Sequence, residues 1–204
     1  MRSLKAFICA AFAVILATSC AVGEDVASPS LATSGQRYDR PATKDSTIMR
    51  STVSCTNCPN NNCYECTLGY DQKLVANTGG LAFVQALIGF KMPVSGSSVS
   101  SCTIQIPAFT TPLQYPITVQ FFTAALSDWD EDTVTANNAP AAGTLINSVE
   151  VPAYNNLVAT DITAACQSAG SDGEFSVYLG AQFGHFEFWS KDSGNPAIIH
   201  ITTD

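Results

Sequence analysis

Apolar and polar residues alternate in short stretches along most of the chain, and this alternation predicts β-strands. In residues 99–108, Cys102, Ile104 and Ile106 would lie on the same face of one strand. In residues 82–90 both faces are largely apolar, which predicts a central strand whose outer side is covered. Other strands are predicted at 46–53, 117–124, 145–151, 157–160, 175–179, 186–188 and 199–201.

One short helix interrupts this pattern. Asp161 has the residue type of an N-cap, and the helix that it begins would end near Gly170. At least seven short strands, separated by Gly, Pro and Asn turns and accompanied by one helix, predict an all-β fold. The expected architecture is an antiparallel β-sandwich of the jelly-roll type.

The first part of the chain differs from the rest. Residues 1–23 contain Arg2, Lys5, an apolar stretch and small residues at the end, which predicts a secretory signal peptide. The alternative, a lipoprotein acylated at Cys20, is disfavoured by the residues that precede it. Residues 24–45 are rich in Ser, Thr, Ala and Pro and are expected to form a flexible linker, so the sandwich is predicted at 46–204.

Charge and hydropathy narrow the class of partners. No second apolar span follows the signal, so we expect a secreted, soluble protein without a membrane partner after cleavage. Two of the nine basic residues lie in the signal. The chain without the signal therefore has seven basic and 17 acidic residues, which gives it a net charge of −10. This charge argues against nucleic acid, anionic membranes and strongly anionic polysaccharides as ligands. Oligomeric state is left open.

Four cysteines after the signal form a cluster: Cys55, Cys58, Cys63 and Cys66. Two C-x-x-C pairs also occur in zinc sites, but these pairs are separated by only four residues, and a secreted chain meets an oxidising environment. Disulfides are therefore expected, and the nested pairing Cys55–Cys66 with Cys58–Cys63 is favoured because it would staple a hairpin. Cys102 and Cys166 remain, and we predict that they tie the helix to the sheet.

Residues 128–140, DWDEDTVTANNAP, combine an acidic cluster, a β-branched run and paired asparagines. The run Thr133, Val134 and Thr135 suits a strand, and 137–140 suits a turn. The same stretch offers Asp128, Asp130 and Asp132 at the opening spacing of a calcium-binding EF-hand loop. Thr133 and Ala139 stand where that loop needs Gly and Glu, so the alternative is a solvated acidic loop in which Asp130 or Glu131 caps backbone N–H groups.

The stretch resembles the signature of the DNRLRE domain family, also classified as carbohydrate-binding module family 96, whose pattern is approximately W-x-E-x-T-V-T-W-N-N-x-P. The matching residues are Trp129, Glu131, Thr133, Val134, Thr135, Asn137, Asn138 and Pro140. Further likeness at 87–90, 161–163, 188–192 and 196–201 extends the resemblance over about residues 46–204. Ala136 stands where the family usually has a second Trp. If that Trp packs in the core, a neighbour must fill its volume; if it stacks on sugar, the contact is absent here.

The resemblance implies an antiparallel β-sandwich that binds polysaccharide or serves as an adhesive, non-catalytic module. The residues themselves give little support for catalysis. His185 and His200 have no nucleophile motif beside them, and each mature cysteine is expected to be paired. A glycoside hydrolase would need two carboxylates that face across a sugar at a fixed separation. We therefore expect no enzymatic activity and no cofactor beyond a structural calcium ion.

Sugar binding requires exposed aromatic faces with polar neighbours. If Phe186 and Phe188 point inward, then His185, Glu187 and Trp189 point outward and could stack on and hydrogen-bond a sugar. The second candidate is Trp129, for which packing in the core is the favoured alternative. Tyr115 and Tyr154 are further candidates. The sequence therefore predicts a secreted, non-catalytic carbohydrate-binding module for a wall or extracellular polysaccharide; the alternative is a structural or adhesive protein of a matrix or wall.

Overall fold

In the computed structural model, which describes residues 35–79, 82–170 and 172–204, the chain forms eleven β-strands and one short α-helix. The strands are β1 (Arg37–Pro41), β2 (Lys44–Ser51), β3 (Lys73–Gly79), β4 (Ala82–Lys91), β5 (Val99–Gln105), β6 (Ile117–Ala124), β7 (Ala142–Val151), β8 (Thr160–Asp161), β9 (Glu174–Ala181), β10 (Gly184–Trp189) and β11 (Ile198–Thr203). The helix, α1, is Thr163–Gln167. None of the helices in these ranges has the length and apolar character needed to cross a membrane. The predicted signal peptide and the first half of the predicted linker, residues 24–34, lie outside the described residues.

The strands form two antiparallel sheets that pack as a β-sandwich. The smaller sheet has the order β1-β11-β5-β8, and the larger has the order β10-β3-β4-β9-β6-β7, with β2 paired to β4. Ile104 and Ile199 from the smaller sheet and Ile88 and Leu179 from the larger one are fully buried in one apolar core. Burial of alternate positions on both sheets is what drives such a pair of layers together. The predicted all-β sandwich with one short helix is confirmed.

The folded domain begins earlier than the sequence suggests. Strand β1 pairs with β11, from Arg37 opposite Thr202 to Pro41 opposite Ile198, and β2 begins at Lys44. Both lie at least partly within 24–45, so the linker assignment is wrong for this part. Most side chains of β1 are exposed, so its sequence shows no alternation of apolar and polar residues. Backbone hydrogen bonds to β11 hold the strand in the sheet.

The central position of β4 is confirmed. It pairs with β2 along most of its length, with β3 near its start and with β9 near its end. Its inner side chains face the core, whereas Leu87 points outward into a second buried cluster. We call this the outer cluster; its members are Ile48, Leu87, Trp129, Val134 and Tyr178. Trp129 and Val134 of the acidic stretch thus cover the outer apolar face of β4, as the sequence predicts.

The β-branched run in the acidic stretch forms turns rather than the predicted strand. Val134 N–H donates to the carbonyl of Asp130 at 2.8 Å, and Ala139 N–H donates to that of Thr135 at 2.8 Å. The Asn138 side chain accepts from Thr135 N–H at 2.7 Å and donates to the Thr133 carbonyl at 3.0 Å. Local hydrogen bonding by Asn competes with strand pairing, which is why this run closes on itself. The predicted asparagine turn is confirmed.

The pairing of Cys102 with Cys166 is confirmed, and it joins β5 to α1 with both residues fully buried. Asp161 lies just before the helix, where its carboxylate accepts from Thr163 N–H at 2.8 Å and from the Thr163 hydroxyl at 2.6 Å. These bonds from Thr163 lower the pKa of Asp161. The helix ends at Gln167, three residues before the predicted Gly170.

The nested pairing of the cysteine cluster is wrong. The structure pairs Cys55 with Cys63 and Cys58 with Cys66, each across eight positions. A bridge between Ser54 and Asn62, and the bond from Cys55 N–H to the Asn61 carbonyl at 3.0 Å, bring Cys55 beside Cys63. The segment folds as two 3₁₀ turns, Pro59–Asn61 and Cys63–Glu65, and not as the regular hairpin that would have set Cys55 opposite Cys66.

Candidate functional site

Strand β10 presents the predicted trio on its outer face. Phe186 and Phe188 are buried in the core, so alternation turns His185, Glu187 and Trp189 away from it. Strand β3 runs antiparallel beside β10, with Lys73 opposite Trp189. The side chain of Trp189 is 36% exposed, and the Lys73 ammonium lies 5.9 Å from its ring centroid. The ring therefore keeps part of its surface open to solvent.

Glu187 is the polar centre of this face. Its carboxylate lies 3.2 Å from the Lys73 ammonium, 3.2 Å from His185 Nε2 and 3.2 Å from the Thr110 hydroxyl. Burial acts to raise the pKa of Glu187, but the Lys73 charge and the hydrogen bonds from Lys73, Thr110 and His185 lower it by more. Glu187 is therefore an anion whose position is fixed by three neighbours, and its side chain is still 29% exposed.

A loop from the other side of the chain completes the site. Phe109 bridges to Phe188, and Thr110 N–H donates to the Glu187 carbonyl at 2.9 Å. These bonds hold residues 111–117 beside β10 and leave a groove of about 500 Å³ between 111–117 and 183–187. We call it the β10 groove. Tyr115 and Phe183 on its walls are 78% and 74% exposed, whereas His185 and Glu187 supply polar groups.

Sequence reasoning finds only part of the groove. Tyr115 is a secondary candidate there, and Phe183 is missed. Phe183 lies in the two-residue connection between β9 and β10, where a large exposed aromatic is unusual and could have served as a signal. The groove itself forms because residues 111–117 pack beside the distant residues 183–187, and a local sequence pattern does not predict such a contact.

Trp129 lies in the outer cluster and is only 8% exposed. Its indole N–H donates to Ser176 Oγ at 3.0 Å, and the Lys44 ammonium lies 4.8 Å from its ring centroid. Ala136, at the position of the family's second Trp, is partly buried and packs against the same cluster. The core-packing alternative describes Trp129 correctly, so we leave it out of the ligand site.

The three aspartates of the acidic loop have separate local roles. Asp130 accepts from Asp132 N–H at 2.7 Å, and Asp132 accepts from the Tyr70 hydroxyl, which raises the pKa of Tyr70. Asp128 is exposed. Glu131 points the other way, and its carboxylate accepts from Asp45 N–H at 2.6 Å. The predicted capping by Asp130 and Glu131 is therefore present.

Comparison with known proteins gives two results. The sequence model of carbohydrate-binding module family 96 matches residues 41–203, which is most of the chain. A protein of Arthroderma benhamiae, named only as an uncharacterized secreted protein, is 51% identical over 186 residues, which cover 91% of this chain and 95% of that protein. The family match covers strands β2 to β11 of the sandwich, including both the outer cluster and the β10 groove.

Proposed function

The chain belongs to carbohydrate-binding module family 96, and on that premise we propose that this secreted protein holds a neutral polysaccharide in the β10 groove without cleaving it. The groove brings two strongly exposed aromatic rings, Tyr115 and Phe183, to one surface with His185 and Glu187. That conjunction is the observation that supports the proposal. Trp189 extends the aromatic surface along β10.

The residue types suit the chemistry of a sugar ring. A pyranose has apolar C–H faces that stack on aromatic rings, and equatorial hydroxyls that need hydrogen-bond partners at the edge. Tyr115, Phe183 and Trp189 offer the ring faces. The fixed carboxylate of Glu187 accepts hydrogen bonds, and the imidazole of His185 either donates or accepts. A chain of sugars lying along the groove would meet both kinds of contact.

The charge distribution favours a neutral glycan over a uronic acid polymer. Lys73, on β3, lies opposite Trp189, and its ammonium is already paired with Glu187 at 3.2 Å. A sugar carboxylate would have to compete with Glu187 for Lys73 and approach a chain with a formal net charge of −8. We propose β-glucan, cellulose or chitin as the ligand class for these reasons.

The test is retention of the mature domain on insoluble β-glucan, cellulose and chitin, with affinity measured on soluble fragments of whichever polymer retains it. Tyr115→Ala and Phe183→Ala, on the walls of the groove, should each weaken binding about ten-fold, as expected for aromatic anchors of a binding surface. Trp189→Ala should have an effect of the same size if the sugar chain continues from the groove along the outer face of β10. Alginate should be bound more weakly than the neutral polymers.

Tyr70→Ala is the matched control for Tyr115→Ala. Tyr70 is 65% exposed, bonds to Asp132 and does not line the groove, so its loss should leave affinity unchanged. Equal losses in Tyr70→Ala and Tyr115→Ala would reject the groove as the site. If no polymer of the panel retains the wild type, the proposed function fails, and the structural or adhesive role becomes the better account.

A further inference from the structure

Three carboxylates from distant parts of the chain meet behind the acidic loop. Asp45 comes from the start of β2, Glu131 from the loop, and Asp192 from the 3₁₀ turn that follows β10. One carboxylate oxygen of each lies within 4.8 Å of the others, and all three are buried or partly buried. We call this group the Asp45 cluster. Sequence reasoning misses it, because the linker assignment includes Asp45.

One carboxylate oxygen of Asp45 is buried without a hydrogen-bond partner among the described residues. The residue is fully buried, and its Oδ2 accepts from Lys191 N–H at 2.8 Å. Its Oδ1 is also buried, yet it has no hydrogen-bond partner among the described residues. A buried carboxylate oxygen without a donor or cation is costly, so a native fold normally supplies one.

Lys191 places a cation beside the cluster, but its ammonium pairs with the other two carboxylates. The Lys191 ammonium lies 2.8 Å from Glu131 Oε2 and 3.1 Å from Asp192 Oδ2, and it serves those two carboxylates. One ammonium therefore faces three acidic groups. The excess of negative groups in a confined space is what a divalent cation would relieve.

We propose that the Asp45 cluster binds one Ca²⁺ ion, with Asp45, Glu131 and Asp192 as its protein ligands. Calcium takes carboxylate oxygens at about 2.3–2.6 Å, so two oxygens that share one ion lie no more than about 4.6–5.2 Å apart, and the three oxygens of the cluster meet this limit. Mg²⁺ requires a near-ideal octahedral geometry and dehydrates reluctantly, so carboxylates from three separate segments suit it less well than the more flexible Ca²⁺. The Lys191 side chain is 21% exposed, which gives its ammonium a path to solvent when the ion enters.

Such an ion would join three segments that are far apart in the sequence. It would fix the acidic loop, which covers the outer face of β4, to the start of β2 and to the turn after β10. Binding to the folded chain and not to the unfolded one raises thermal stability by mass action. The effect is on stability, and its measurement does not require a glycan.

The test compares thermal unfolding of the EDTA-treated domain with and without 10 mM CaCl₂, together with calorimetric titration of Ca²⁺. With a dissociation constant of about 10⁻⁴–10⁻³ M, as in extracellular calcium modules, the melting temperature should rise by about 3–10 °C. The rise with Mg²⁺ should be much smaller. Asp45→Asn should weaken calcium binding at least ten-fold, and Asp192→Asn provides the same test if Asp45→Asn does not fold.

Two further variants distinguish the Asp45 cluster from a calcium site among the aspartates of the acidic loop. Lys191→Met removes the competing ammonium and should tighten calcium binding about ten-fold. The double variant Asp128→Asn/Asp130→Asn removes comparable charge outside the cluster and should bind calcium as the wild type does. Absence of saturable binding in the wild type, or equal shifts with Mg²⁺, would overturn the proposal. So would loss of binding in the double variant with retention in Asp45→Asn, since that result would place the ion in the loop.

Discussion

Trp129→Ala is expected to lower the free energy of unfolding by about 3–5 kcal/mol, the range for removing a large aromatic from a packed interior. Trp129 fills the outer cluster against Leu87 and Tyr178, so its loss leaves a cavity beneath the acidic loop. The change also removes the buried hydrogen bond, 3.0 Å long, that the indole N–H of Trp129 donates to Ser176 Oγ. Denaturant unfolding followed by circular dichroism measures the loss.

Trp189→Ala is the matched control for this change. It removes the same side chain from a site that is 36% exposed, and it should cost about 1 kcal/mol or less. The order of the two variants should reverse for glycan affinity: Trp129→Ala binds as the wild type does at temperatures where it is folded, whereas Trp189→Ala binds about ten-fold more weakly. A Trp129→Ala protein that is as stable as the wild type but fails to bind would show that this ring contacts the ligand.

Removal of the disulfide between β5 and α1 is expected to have an effect of similar size. Cys102 and Cys166 are 64 positions apart, and a cross-link over a loop of that length restricts the unfolded chain by about 4 kcal/mol. Both residues are fully buried, so Cys102→Ala/Cys166→Ala avoids leaving free thiols in the core. The double variant should therefore unfold at a markedly lower denaturant concentration than the wild type.

Cys55→Ala/Cys63→Ala provides the comparison of loop length. This bridge spans eight positions, for which the same relation gives about 2.5 kcal/mol. The long-range pair should thus cost more than the short-range pair under identical conditions. A larger loss from the short-range pair would mean that the cysteine cluster, and not the link from helix to sheet, is the main covalent support of the fold.

Local patterns are sufficient for the fold class and for the outward face of β10. Alternation identifies Phe186 and Phe188 as core residues, and His185, Glu187 and Trp189 follow directly from the two-residue period of a strand. The apolar outer position Leu87 correctly indicates that something covers β4. These features depend on residues that are close in sequence, or on a periodicity that burial imposes.

Apart from the Cys102–Cys166 disulfide, features that depend on contacts between distant segments could not be predicted. Strand β1 is held to β11 by backbone bonds and carries few apolar side chains. The predicted pairing of the cysteine cluster is wrong, because the register between Ser54 and Asn62 is set by turns that the sequence does not display. Asp45 meets Glu131 and Asp192 only after the whole sandwich has formed.

Glycan binding in the β10 groove is tested most directly by mapping amide chemical-shift changes as a neutral oligosaccharide is titrated into the ¹⁵N-labelled domain. The largest changes should fall in residues 111–117 and 183–189, around Tyr115, Phe183 and Trp189. Changes centred on the exposed face of β1, β5 and β11, or on the acidic loop, would contradict binding in the groove.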